Sequence, residues 1–330
     1  MRRLYYCAAA VIDKAYTARP LHHHTRMNGL NDRSRGLIAA TSAFLIWGLL
    51  PLYMRALDSV PPVEIMVHRL LWCCLFTLAI LLLKGQLRRV PAILRQPHTA
   101  GLLLLSALLI SANWLVYVWA VSARHVVEAS LGYFVNPLVS VLLGVFVLRE
   151  RLNGIQWTAV AIAGAGVVWL TLNVGRPPWI ALVLAFSFAF YGLVRKRVEV
   201  DAITGLTVET LLLAPLAIAF LVWRGGDGAF GAQGGWIDAL LLASGVFTAV
   251  PLMLFAFGVR RVPLATIGLI QYLGPTLQLL IGVWLFGEAF THVQALGFGL
   301  IWGALALYAI NGLWRRRRTA AVAAPEAEGV

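Results

Sequence analysis

Residues 129–150 read ASLGYFVNPLVSVLLGVFVLRE, and residues 265–288 read ATIGLIQYLGPTLQLLIGVWLFGE. Each is an apolar run long enough to cross a bilayer, which takes about 20 mostly apolar residues. Each carries a proline near its middle and a glutamate at its end. A shift of 138 residues lays Asn136-Pro137 on Gly274-Pro275, Gly144 on Gly282, Glu150 on Glu288 and Gln156 on Gln294. Upstream, a shift of 136 lays Arg124 on Arg260, Ala129 on Ala265 and Ser130 on Thr266, so a two-residue gap separates the two registers. The matches are individually weak, but they keep one order and one place in the span pattern, as two copies of one unit would.

Working outward, the rest of the chain has the same character. Of its 330 residues 60% are hydrophobic and 12% charged, and the mean hydropathy is +0.81. A soluble domain carries roughly twice that charged fraction. Stretches free of Asp, Glu, Lys and Arg cover 37–54, 99–123, 129–148, 152–175, 177–194, 239–259, 262–287 and 289–314. Two further spans tolerate charge: 63–83 holds Glu64, His68 and Arg69, and 202–223 holds Glu209. The expectation is an all-α polytopic membrane protein of ten transmembrane helices. Span length argues against a barrel, whose strands need only about 10 alternating residues. Five spans per copy is odd, so the second copy enters the membrane inverted relative to the first, the arrangement of many alternating-access transporters.

Lys and Arg set the orientation. With the N-terminus inside, 22 of them fall in the inner segments and four in the outer loops, so both ends are expected on the cytoplasmic side of a bacterial inner membrane. The domain reading is a polar, basic, disordered tail at 1–35, a first five-helix repeat at 36–175, a second at 176–314, and a basic then disordered tail at 315–330. Met27 lies ten residues before span 1 and is the expected true start.

The formal net charge of +13 suggests nucleic-acid binding, but the basic residues sit in short runs between apolar stretches rather than on one face. Cys7, Cys73 and Cys74 form no metal or redox spacing, and the His22-His23-His24 triplet lies in a polar tail, so no metal and no cofactor is expected. There is no Walker A sequence, no HExxH and no GxSxG, which argues against an enzyme and against an ATP-driven pump. The expected partners are a small-molecule solute and the bilayer. The alternative function is a membrane-embedded sensor or assembly factor without a transport cycle.

Candidate site residues follow from polar groups held in lipid. Proline in a helix removes the hydrogen bond to the carbonyl four residues back, so Pro137 should free Tyr133 and Pro275 should free Gln271. Tyr133 and Asn136 sit beside one kink, Gln271 and Tyr272 beside the other, and interrupted helices in corresponding positions point to a binding site. An ordinary packing kink is the competing reading. Asn113, Trp114, Tyr117 and Trp119 gather in span 3, and Ser187 and Tyr191 share a face of span 6. The expected cavity is lined by Asn113, Trp114, Tyr133, Asn136, Tyr191, Gln271 and Tyr272. Glu64 and His68 are four apart and able to pair. Arg69 should snorkel to the outer surface. Glu209, roughly 10 Å into span 7, needs a partner from another helix, a proton or water, and together with His68 and Glu64 it is a candidate for proton coupling. Gly299 and Gly303, matched by Ala161 and Ala165, form small-xxx-small pairs expected to pack helices together.

The segments FLIWGLLPLY (44–53), HRLLW (68–72), NWLVYVWAV (113–121), EASLGYFVNPL (128–138), FSFAFYGLVRK (186–196) and QYLGPT (271–276) resemble RarD-type permeases of the EamA group, in the drug/metabolite transporter superfamily. The resemblance runs from 36 to about 314. It implies two EamA repeats of five helices, a plasma-membrane location and a transport role. The family usually shows Gly-Glu at the end of span 4, as Gly287-Glu288 does at span 9; here Arg149 stands in that glycine's place.

Overall fold

A computed structural model describes residues 32–122, 126–173, 179–225, 228–285 and 291–323, all within one compact unit, Asp32–Val330. The described residues are helical, with turns between. Span 1 is α1 (Asp32–Gly48) and α2 (Leu50–Arg55), and span 2 is α3 (Pro62–Leu83). The short α4 (Arg89–Leu94) leads to span 3, α5 (Pro97–Ser122). Spans 4 to 8 are α6 (Val126–Phe146), α7 (Gly154–Leu172), α8 (Trp179–Arg197), α9 (Ala202–Arg224) and α10 (Gly235–Val259). Span 9 is broken into α11 (Leu264–Ile270) and α12 (Leu273–Leu285), and span 10 is α13 (His292–Ala323). Among the described residues nine of these segments are long and apolar enough to cross a membrane, and a shorter apolar stretch of α6 marks the tenth span. The final helix continues nine residues past the expected end at 314. Met27 and the expected tail before residue 32 lie outside the described residues.

The bundle is apolar on its outside as well as its inside: Val222 is 75% exposed and Leu172 73%. Side chains of that kind need a lipid solvent. Inside, packing follows the repeat. Span 1 packs on spans 8 and 9, and span 6 packs on spans 3 and 4; spans 2 and 7, 4 and 9, and 5 and 10 pack on each other. Exchanging each span with the one five places on leaves this pattern unchanged, so the two repeats are interleaved about a pseudo-twofold axis. Residues equivalent under the 138-residue shift meet there. Ala163 and Ile301 share one buried cluster, and the Tyr272 hydroxyl donates to the Phe134 carbonyl at 3.1 Å.

The Gln156–Gln294 match also gains a cause. Gln156 and Asn153 bond each other's backbone amides in a capping box that starts α7, and Gln294 and Thr291 do the same before α13. Asp201 caps α9 by accepting from the Thr204 amide at 3.0 Å. Burial works against its charge, but the Thr204 hydroxyl and amide and the nearby Arg89 hold the carboxyl below the usual carboxylate range.

Two expectations about packing fail. Gly299, Gly303, Ala161 and Ala165 lie off the α7–α13 contact, and nothing lies within 4 Å of where a side chain at either glycine would begin. The close approach is at Gly166 and Gly297, where a Cβ at Gly297 would stand 2.5 Å from Leu170 Cγ. Two residues of displacement turn a helical position by about 200°, which carries the expected stripe to the lipid side.

The prolines differ as well. Pro137 lies inside the unbroken helix α6. Pro275 sits in the first turn of α12, and the Gln271 carbonyl it was expected to free accepts from the Gly274 amide at 3.2 Å. The freed-carbonyl logic applies instead at Pro51, where α1 gives way to α2. Four residues back, the Trp47 carbonyl accepts from the Gln278 side-chain amide at 3.1 Å.

Candidate functional site

A cavity of about 280 Å³ lies between the repeats, beside the break in span 9. Asn113, Trp114, Tyr133, Asn136, Gln271 and Pro275 line it with Tyr117 of the span 3 cluster, joined by Trp47, Pro51, Phe188 and Gln278, which the sequence did not single out for it. Among the described residues none of the lining side chains is charged. The walls are rings set edge to face: Trp47 and Phe188 with centroids 5.7 Å apart, and Tyr117 and Tyr133 at 5.8 Å. Such pairs give a stiff apolar surface.

The amides of the cavity fall into two classes. Asn113 is committed: its Nδ2 donates to the Leu184 carbonyl at 2.8 Å and to Ser187 Oγ at 2.9 Å, which pins α5 to α8. Gln278 is committed to Trp47. Asn136 and Gln271 are not. Both are buried, at 3% and 6% exposure, and neither Asn136 Oδ1 nor Gln271 Oε1 has a hydrogen-bond partner. An unmet buried acceptor costs about 1–3 kcal/mol, so two of them in one small cavity are unspent binding capacity.

Tyr191 and Tyr272 do not line the cavity. Tyr191 is buried one turn beyond Ser187, its ring stacked on Phe255 with centroids 5.8 Å apart. Tyr272 follows Gln271 directly, so about 100° of helix separates them, and its side chain enters the α6–α7–α13 core. Adjacency in sequence brought both to notice; the helix turns them away.

The charged candidates lie elsewhere. Glu64 Oε1 accepts from the Ala229 amide, its Oε2 stands 3.5 Å from Arg224 Nη2, and His68 Nε2 is 3.9 Å away. With the His68 ring stacked on Phe230 at 5.3 Å, this group fastens the α9–α10 connection onto α3. Glu209 finds its charged partner in the preceding helix, Arg195 Nη1 at 3.2 Å, and accepts from Ser106 Oγ of α5 at 2.7 Å. Arg195, grouped in the sequence reading with the inner connections, is 1% exposed. The signal for it was Gly205, four residues before Glu209, where a Cβ would collide with the Arg195 guanidinium. Arg69 does not snorkel. It is 4% exposed, its Nε donates to Thr248 Oγ1 at 2.8 Å, and its guanidinium lies 3.5 Å above the Trp114 ring.

At the arginine-rich end polar groups tie the spans together. Glu150 reaches across from span 4 and accepts from the Leu264 amide at 2.7 Å and the Ala265 amide at 2.9 Å, capping α11. Lys196 Nζ donates to the Val262 carbonyl at 2.6 Å and stands 3.6 Å from Glu150. Arg261 pairs with Asp32 at 3.0 Å.

A model of the EamA-like transporter family matches residues 34–172 and again residues 177–310. The chain belongs to the EamA-like transporter family. Its relatives within that family include Protein RarD of Streptomyces exfoliatus, 43% identical over 89% of this chain and 94% of that protein, and Protein RarD of Escherichia coli (strain K12), 40% identical over 86% and 97%. An uncharacterized transporter of Vibrio cholerae is 41% identical over 86% and 94%. It is therefore a RarD-type EamA permease by kinship. A crystal structure of a protein sharing 21% identity superposes with a TM-score of 0.64 over 82% of this chain and 96% of that one, so the fold is a solved one.

Proposed function

We propose that this EamA chain is a secondary transporter that carries a small organic solute across the bacterial inner membrane by alternating access, with both termini in the cytoplasm. The carrying observation is the pair Asn136 and Gln271: one buried, unpartnered amide from each repeat, facing one neutral, aromatic-walled cavity. The seal formed by Glu150, Lys196 and the Asp32–Arg261 pair at the basic end supports a cytoplasm-closed state. Leu50, Pro51 and Met54, from the far end of span 1, line the cavity and support an opening toward the other side. Among the expected coupling groups we assign the role to Glu209, whose Oε2 is unpartnered and which borders a cleft that shares Trp114 with the cavity. Glu64 and His68 hold a connection closed instead.

The test is solute flux in proteoliposomes. Asn136→Leu and Gln271→Leu should each lower binding at least tenfold, about 1.4 kcal/mol, while the melting temperature stays within about 2 °C of wild type. Glu209→Gln should lose gradient-driven uptake and keep exchange. A protein that moves no solute, or Leu variants that transport normally, would sink the proposal; the first outcome favours a sensor without a transport cycle.

A further inference from the structure

Among the described residues the charges inside the bundle do not balance. Glu209 is met by Arg195 and Glu64 by Arg224. Arg69 has no carboxylate within ion-pair distance among the described residues. A hydroxyl and a ring face are its contacts, and its Nη2 has no hydrogen-bond partner. Removing a cation from water is expensive, and a neutral acceptor and a cation–π contact return only part of that cost. A lone internal arginine is the feature expected where an anion arrives from outside.

Its position fits a visiting ligand. Arg69 lines a cleft of about 80 Å³ between α3, α5, α9 and α10, and Trp114 is a wall of both this cleft and the central cavity. Among the described residues the cavity itself offers amides and rings but no charge. Glu209, also on the cleft, is held by Arg195 and Ser106 and does not reach Arg69. A guanidinium with an unpartnered N–H group matches a carboxylate in shape as well as charge. Nη2 is shielded in the present packing, so a ligand in the cavity reaches it only past Trp114, the ring stacked beneath the guanidinium.

We infer that Arg69 recognises the anionic group of the solute, which is a small organic carboxylate whose apolar body lies on the aromatic wall. This rests on the central cavity being the solute site, and it adds the charge class that the cavity alone does not specify.

The experiment uses the full chain in lipid nanodiscs. Thermal unfolding is followed alone and with phenylacetate, phenylacetamide or chloride, at constant ionic strength. Phenylacetate should raise the melting temperature of wild type, and phenylacetamide should not. Arg69→Gln should weaken phenylacetate binding at least tenfold, with Arg69→Lys in between. Without ligand, Arg69→Gln should melt at or above wild type, because an unneutralised buried cation has been removed; an arginine kept for structure would leave a lower melting point. Equal protection by phenylacetamide in wild type and Arg69→Gln overturns the inference and leaves the cavity reading standing. Full protection by chloride overturns the organic carboxylate in favour of an inorganic anion. If neither organic probe protects, the ligand-free comparison decides: a drop in Arg69→Gln overturns the inference, and a rise retains it.

Discussion

Spans 4 and 9 descend from one pattern and solve it differently. Span 4 is a continuous helix through Pro137, and it ends at Arg149 in a left-handed conformation with φ of 56°. Span 9 breaks at Gln271, so that its first half, α11, is a separate seven-residue helix. The two cross where Gly268 faces Pro137: a Cβ on Gly268 would stand 2.5 Å from the Pro137 carbonyl oxygen. The short half also borrows its cap, because Pro263 precedes it without a side-chain acceptor and Glu150 of the other repeat supplies two. A repeated sequence therefore does not enforce repeated conformation. The broken copy is held by the carboxylate of the other repeat.

The comparison breaks most severely at the crossing. Gly268→Val puts side-chain carbon against backbone that has no room to yield, and overpacking of this kind costs about 3 kcal/mol. The expected result is loss of folded protein by size exclusion and melting; a variant that melts like wild type would show that spans 4 and 9 are not in tight contact. Next in size is Glu150→Ala, which leaves the α11 amides without their acceptor and Lys196 without its carboxylate partner. Charged hydrogen bonds are worth about 1.5–3 kcal/mol, and a cysteine placed at Ala265 should become open to a soluble thiol reagent from the basic side. Unchanged labelling would remove Glu150 from the seal. The smallest effect has the opposite sign. Arg149→Gly restores the residue that tolerates positive φ and should stabilise by about 1 kcal/mol, read as a higher melting temperature. A lower one would place the Arg149 side chain, not its backbone, in control of the turn.

Much of this was legible from apolar run lengths. Ten runs, an odd number per repeat, and the matches at Gly144, Glu150 and Gln156 follow from spacing alone. Asn136 and Gln271 were visible because amides beside prolines in lipid are conspicuous. The losses came where spacing is silent about direction. Tyr191 and Tyr272 were adjacent to the right residues and on the wrong faces. Arg195 and Arg69 carried the charge of surface residues, and only the notch at Gly205 and the ring of Trp114 explain how the interior holds them. Pro51 was overlooked because the amide that repairs its break, Gln278, lies 227 residues later in the chain.

The meeting of Tyr272 with Phe134 has a consequence for how such a molecule came to be one chain. In a dimer of a single five-helix unit, a residue on the axis would face its own copy, and any polar group there would be matched by itself. Here a hydroxyl is present on one side only, and it donates to the backbone of the other. Fusion releases axial positions from self-complementarity. Exchanging the two residues, Phe134→Tyr with Tyr272→Phe, asks whether the axis still tolerates the mirror arrangement or has become directional.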